Sequence, residues 1–510
     1  MIEKNSSSKS NTVYIISIAI TVALVLWGLI SPQSFGSFAK ALNGGLTKYY
    51  GWGYMLTMNI FVVFCIVVAL SRFGKVRLGP EDSRPEYGNV SWFAMLFSAG
   101  MGVGLVFYGA AEPLFHFGST PFGAAPGSIE AARDAMQISF FHWGLHPWAG
   151  YSVIAMPLAY YQFRRNTPGL ISSIFIPLVG EDMVRGAFGK TVDILAIFAT
   201  LAGITTSLGL GTLQLNSGLN MLFGIPKETV VQVIIIAALA VLYTGSAALG
   251  IEKGIKRVAD FNLWVCLLLM VSLFAVGPSL AILNAFMTGL GDFISGLVRE
   301  SFTLAPYGGE YSSFLDSWTL YYWAWWISWA PFVGSFVARI SRGRTVREFV
   351  SGVLIVPALG SFTWFAIFGT SALHLEVVRK IAVSAEVLKD ISVGIFNMYS
   401  YYPLGQIMSV VMLVLIVTFF VTSANSGTFV LAMYSTNGDL NPGHGRMVVW
   451  GVLMGALAAV LLLTGGLQNL QTVSLAAAMP FSLIMICSCA SFWKTLTREE
   501  KKNEDDRGCS

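Results

Sequence analysis

Charge is what this sequence has least of. Of its 510 residues, 31 are Lys or Arg and 27 are Asp or Glu, together 11%, against roughly 25% in a soluble domain. Three stretches, Thr12–Ile30, Leu56–Leu70 and Val230–Ala240, carry no charged side chain at all. That scarcity excludes a soluble globular chain. Cysteine is scarce too. Cys65, Cys266, Cys487 and Cys489 lie in apolar stretches and Cys509 near the end, so there is no disulfide framework. Cys487 and Cys489 point to different sides of a helix, which excludes a metal clamp and leaves small apolar filler. His142 and His146 are four apart, as zinc ligands can be, but no Glu follows His142. Paired carboxylates, a nucleophile triad or a metal motif are missing from the apolar stretches, so the chain is not expected to be an enzyme. A net charge of +4 gives no reason to expect nucleic acid as a partner.

What is present is a series of long apolar runs. A helix needs roughly 20 mostly apolar residues to cross ~30 Å of hydrocarbon. That ruler predicts an all-α polytopic membrane protein of about 12 transmembrane helices, at 12–31, 51–71, 91–115, 134–162, 190–216, 229–249, 258–288, 316–338, 349–371, 404–434, 447–465 and 470–493. The first run is too long for a cleavable signal peptide and lacks a cleavage site before Pro32. With the N-terminus in the cytoplasm, 23 of the 31 Lys and Arg fall on that side. The positive-inside rule then places both termini in the cytoplasm. The expected organisation is a tail at 1–11, two helices within 12–90, a five-helix unit at 91–290, an amphipathic segment at 291–315, a second five-helix unit at 316–493 and a tail at 494–510.

Two spans depart from plain Leu/Ile/Val/Ala helices. The third holds Ser98-Ala99-Gly100-Met101-Gly102-Val103-Gly104; each glycine costs about 1 kcal/mol in a helix interior. The eighth holds Trp329-Ala330-Pro331, where proline removes a backbone donor. Each has a bland reading, close helix packing for the glycines and ordinary membrane-helix proline for the other. Together they predict interrupted helices opening two successive five-helix units, 3–7 and 8–12. An odd number of helices per unit makes the second unit inverted, the LeuT-like pattern of secondary transporters.

Aromatic residues crowd the same places. The stretch YYWAWWISWAPF at 321–332 sets Tyr322, Trp325, Trp326 and Trp329 on one helix face, in mid-span rather than at the interface where tryptophan collects. A second group lies in FFHWGLHPWAGY at 140–151. Two such helices predict an aromatic cage. A quaternary ammonium cannot donate N–H hydrogen bonds and is held by ring faces at about 0.5–2 kcal/mol each. A carboxylate on the same ligand would find exposed amides at the Gly100–Gly104 break, as anions do at helix N-termini.

These stretches, with SAGMGVGLVFYGAAEP at 98–113, TSLGLGTLQ at 206–214 and FFVTSANSGTFVL at 419–431, resemble the betaine/choline/carnitine transporter family over the whole chain, and most of all its sodium-coupled glycine betaine members. The resemblance implies an importer of glycine betaine or a related zwitterion in a bacterial inner membrane, a homotrimer held by an amphipathic segment near Met287–Thr303, no cofactor, and sodium as the co-transported ion. It implies that Trp143, Trp148, Tyr151 and Trp326 form the central box, with Trp325 and Trp329 beside it. Gly100, Met101, Gly102 and Gly104 would line the substrate, and Phe107, Tyr321 and Phe336 would gate it. Sodium would be held by Ser98, Met101, Phe419, Thr422 and Ser423. A second ion would use Phe332 and Thr200, with Thr205 and Thr206 as candidates for its other hydroxyl. Sodium-independent carnitine exchangers carry Arg and Met where this chain has Asn262 and Val333, and choline-preferring members often carry Asp where it has Gly104. Where many relatives have Asp beside the Thr-Ser pair, it has Asn425. The alternatives are exchange or proton-coupled import of carnitine, choline or another betaine, and, from another class, a channel or ligand sensor. Glu112, Asp193 and Asp260 read as membrane-end acids paired with Arg or Lys.

Overall fold

The computed structural model describes residues 11–100, 102–249 and 252–508. Counting helices of twelve residues or more, the order is α1 (Asn11–Ile30), α2 (Pro32–Leu70), α3 (Asn89–Gly100), α4 (Val103–Gly118), α5 (Ile129–His142), α6 (Leu145–Arg164), α7 (Ala187–Phe223), α8 (Thr229–Ala248), α9 (Glu252–Val276), α10 (Ser279–Phe302), α11 (Leu320–Ile340), α12 (Val346–Val377), α13 (Gly405–Tyr434) and α14 (His444–Gly508), the last kinked into two helices at Gly466, φ +58°. The only extended pairing among the described residues is a single bridge, Arg77 to Thr345. Among the described residues nine helices are long and apolar enough to cross a membrane, and the bent pair α3–α4 makes a tenth candidate. The chain is thus an all-helical, multi-pass membrane protein.

Local sequence sets the helix ends. Ser128 caps α5 by accepting the Ala131 amide, and Thr345 with Glu348 forms a reciprocal capping box at α12. Gly224, at φ +70°, takes the left-handed position that ends α7. Burial then sorts the helices. The apolar window of α7 is 83% buried, while those of α8 and α10 are 22% buried. Thus α7 is a central post, and α8, α9 and α10 turn side chains such as Val241, Trp264 and Ile294 outward. Apolar surface of that kind suits lipid. Around α7 pack α11, α13 and α14; α6 lies along α11, and α12 covers α4.

Four features differ from the sequence-based expectation. First, α11 runs unbroken through Pro331. Its irregularity is one π turn upstream, Leu315–Thr319. A single lost backbone bond is tolerated where packing surrounds the helix, as it is at Pro113, Pro157 and Pro357. Second, the fourth span is broken instead, between α5 and α6 at Trp143–Gly144. A Cβ on Gly144 would sit 2.7 Å from the Phe140 carbonyl oxygen, and Pro147 lacks the N–H that a continuous helix would need. Third, the seventh span stops at Val276 because Gly277-Pro278 ends it, so the outward-facing α10 begins at Ser279 rather than near Met287. Fourth, residues after Lys494 continue α14, with Glu499 and Glu500 paired to Arg164 and Arg72. The glycine break in the third span is as expected: α3 and α4 meet at 69°.

Candidate functional site

The break between α3 and α4 and the break at 143–144 converge on the aromatic face of α11. Trp143, released from helix geometry at the end of α5, sets its ring edge-on to Trp326 at 4.9 Å between centroids. Trp326 stacks on Trp325 at 4.8 Å and on Tyr322 at 5.7 Å. Tyr321 stacks on Trp325 at 5.7 Å, and Tyr108 of α4 approaches Trp143, Tyr322 and Trp325. Trp148 and Tyr151, on the first turns of α6, pair edge-on at 5.5 Å. All of these rings are buried. Edge-on and offset ring contacts of this kind are the favoured ones.

Hydrogen bonds fix the rings. The Trp326 indole N–H donates to the His142 carbonyl at 3.2 Å, and Trp143 and Tyr322 donate to Glu112 Oε2 at 2.9 and 2.5 Å. Glu112 Oε1 lies 2.7 Å from His142 Nδ1 and 3.6 Å from His116 Nε2. Thr319 Oγ1 is 3.0 Å from His142 Nε2. Glu112 therefore differs from its sequence reading: it is fully buried, and its partners are two histidines, an indole and a phenol, not Arg or Lys. The three side chains Glu112, His116 and His142 bring ligand atoms within 4.8 Å of one another, but donors already fill both carboxylate oxygens. His146 turns elsewhere, to Asn59 and Ser301, so it forms no pair with His142. The signal for this cluster was present in the sequence as an intramembrane Glu one turn before a His, but its partners are remote in the chain.

Glycine positions are set by the rings. A Cβ on Gly104 would lie 2.3 Å from Cη2 of Trp325, and one on Gly203 2.5 Å from Cδ1 of Trp329. Gly102 opens α4 in extended geometry, with a virtual Cβ 3.8 Å from Trp329. Gly100 closes α3. Met101 lies outside the described residues.

Beyond Trp329 opens a cavity of about 140 Å³ lined by Ser98, Gly102, Asn262, Trp329, Phe332, Val333, Phe336, Phe419, Thr422 and Ser423, among others. It unites the first predicted ion set except for Met101, together with Phe332. Thr422 Oγ1 is 2.9 Å from the Thr418 carbonyl and 3.1 Å from the Phe419 carbonyl, as membrane-helix threonines often are. Asn262 Oδ1 and Trp329 Nε1 are buried without a hydrogen-bond partner. The second predicted set divides. Thr200 and Thr205 hydroxyls are buried and unpartnered, whereas Thr206 lies 2.9 Å from the Ala202 and Leu470 carbonyls and from Ser474 Oγ. Of the predicted gates, Phe107 and Tyr321 are each 1% exposed and Phe336 is 38% exposed.

Comparison with known proteins follows this geometry. The profile of the betaine/carnitine/choline family transporter, BCCT, matches residues 12–501. The glycine betaine transporter OpuD of Bacillus subtilis is 47% identical over 493 residues, 96% of this chain and 95% of the relative. A probable glycine betaine transporter of Desulfitobacterium hafniense is 43% identical, covering 96% and 98%. An ectoine/hydroxyectoine transporter of Virgibacillus pantothenticus is 42% identical, covering 99% and 100%.

Proposed function

Because the chain belongs to the betaine/carnitine/choline transporter family, whose members are transporters and not enzymes, we propose that it imports glycine betaine or a related zwitterionic quaternary ammonium solute, driven by sodium. The observation that carries the substrate reading is the buried cluster of Trp143, Tyr322, Trp325 and Trp326. Such ring faces attract an ammonium that has no N–H to donate. The ammonium would sit against these rings and against Trp148 and Tyr151. The carboxylate would lie toward the amides at the start of α4, where the helix N-terminus favours negative charge.

Sodium is a hard cation that takes oxygen ligands. The cavity is lined by Ser98 near the end of α3 and by Phe419, Thr422 and Ser423 of α13, whose carbonyls and hydroxyls would be the ligands. A broken helix exposing carbonyls is the usual source of ion ligands in transporters of this kind. Thr200 and Thr205, buried and unpartnered, favour these two over Thr206 for a second ion. Arg339 sits in the last turn of α11, and Arg342 and Arg344 follow it, so we place that end, both termini and the cavity mouth at the cytoplasm of a bacterium. Units 3–7 and 8–12 would be inverted repeats of the LeuT-like kind. α10, whose apolar face is exposed, would serve a trimer.

Uptake of radiolabelled glycine betaine into proteoliposomes tests the reading. Concentrative uptake is expected under an inward sodium gradient and not with potassium in its place. Ectoine as a competitor ranks the two substrates named among the relatives. Sodium-independent exchange would show that Asn262 and Val333 do not mark ion coupling, and uptake that never exceeds the outside concentration would point to a channel.

A further inference from the structure

Glu112 is a carboxylate with no exposure to solvent, in a chain whose apolar core is otherwise almost free of charge. An ionisable group so placed in a membrane protein is costly and calls for a functional reason. Its hydrogen bonds show its state. Oε2 accepts from the Trp143 indole and the Tyr322 hydroxyl, and Oε1 faces His142 Nδ1. A carboxyl with two donors on one oxygen and a histidine nitrogen against the other has the pattern of an ionised carboxylate. Thr319 Oγ1 lies 3.0 Å from His142 Nε2, so both ring nitrogens of His142 have a partner. Among the described residues no Lys or Arg pairs with Glu112; its only ion-pair partners are the two histidines. The ionised carboxylate is the anion of this cluster.

That charge stands directly behind the cage. Two of the cage rings point their polar hydrogens at one carboxylate oxygen, and a third, Trp326, bonds the carbonyl of the His142 that bonds the other oxygen. We propose that Glu112 is a positioning and specificity-determining residue for transport: a fixed anion that holds Trp143 and Tyr322 in place and draws the cationic end of the substrate toward them. This rests on the substrate reading above. An indole or phenol that donates its hydrogen to an anion becomes richer in electrons on its face, which strengthens its attraction for a cation. The low dielectric of the bundle also lets the charge act across the ring. A zwitterion therefore enters with one orientation, ammonium toward Glu112 and carboxylate toward the start of α4.

Charge and shape are separable. Glu112→Gln keeps the shape and removes the charge; Glu112→Asp keeps the charge and shortens the reach. Tryptophan fluorescence titration of the purified protein in sodium would compare glycine betaine with tert-butylacetate, the same shape with carbon in place of nitrogen. For Glu112→Gln, betaine affinity is expected to fall about tenfold while that for tert-butylacetate stays within about twofold, and Asp should retain more betaine affinity than Gln. Parallel loss for both ligands, or Gln better than Asp, would make Glu112 a structural acceptor and overturn the proposal. Should the glutamine variant not fold, Trp143→Phe cuts the link between ring and carboxylate and is expected to lower the betaine preference about threefold; an unchanged preference overturns the proposal. A wild-type protein that binds no betaine would remove the substrate reading, and this inference with it, independently of the variants.

Discussion

The two ends of the aromatic path are built differently. Toward Glu112, the rings of Phe107, Tyr108, Tyr321 and Tyr322 are sealed, nearly without exposure, and the carboxylate is fully engaged. Toward Arg339, the same helix borders a cavity with an unpartnered Asn262 oxygen, an unpartnered Trp329 indole and a partly exposed Phe336. A buried polar group without a partner costs about 1–3 kcal/mol. One end is therefore a closed aromatic seal anchored on Glu112, although the Tyr321 hydroxyl there is also unpartnered, and the other borders a cavity. The contrast teaches that hydrogen bonds to Glu112 fix the rings at one end, while the residues proposed for the ion line the cavity at the other.

Four substitutions would break or sharpen that contrast. The largest effect is expected at Trp326, which contacts Trp143, Tyr322 and Trp325 in the cage. Trp326→Leu removes one ring face, about 2 kcal/mol, and should raise the KM for glycine betaine roughly 30-fold with surface expression intact. Radiolabelled uptake with quantified expression checks this. Next, Gly104→Ala drives a methyl into Trp325. Overpacking of this kind costs about 1–3 kcal/mol, so a lower melting temperature and a raised KM are expected from thermal-shift and uptake assays. At the open end, Thr422→Ala should raise the sodium concentration for half-maximal uptake about tenfold, as loss of one ligand worth about 1.4 kcal/mol would do, with betaine KM at saturating sodium little changed. The smallest effect belongs to Thr206→Val. It loses the link to Leu470 and Ser474 for about 1 kcal/mol of stability, seen in thermal unfolding, and leaves sodium dependence as it was.

Much of this was legible in the chain. The membrane character followed from uncharged runs, although about 12 spans were expected and the described residues give nine candidates and one bent pair; the third-span break followed from alternate glycines, and the shared face of Tyr322, Trp325, Trp326 and Trp329 from helical spacing. Motif likeness, not spacing, brought Ser98, Phe419, Thr422 and Ser423 together, and the cavity does unite them. Proline misled at residue 331, because its effect depends on surrounding packing that a sequence does not display. Gly144 with Pro147 was the better break signal and was absorbed into an apolar run. The role of Glu112 was hidden for a different reason. Position along a span suggested an end-of-helix acid, but burial is decided by neighbours 30 and 210 residues away in sequence. Nothing local could separate Thr206 from Thr200 and Thr205, since its partners lie on the last helix.

The central claim is that the cage and the cavity act together, the cation held by rings at one end and sodium by oxygens at the other. Tryptophan fluorescence of the wild-type protein, titrated with glycine betaine in sodium and again in potassium, tests it most directly. The account predicts a saturable change in sodium and an affinity at least about tenfold weaker in potassium. Equal affinity in the two salts, or no spectral response to betaine in either, would contradict it.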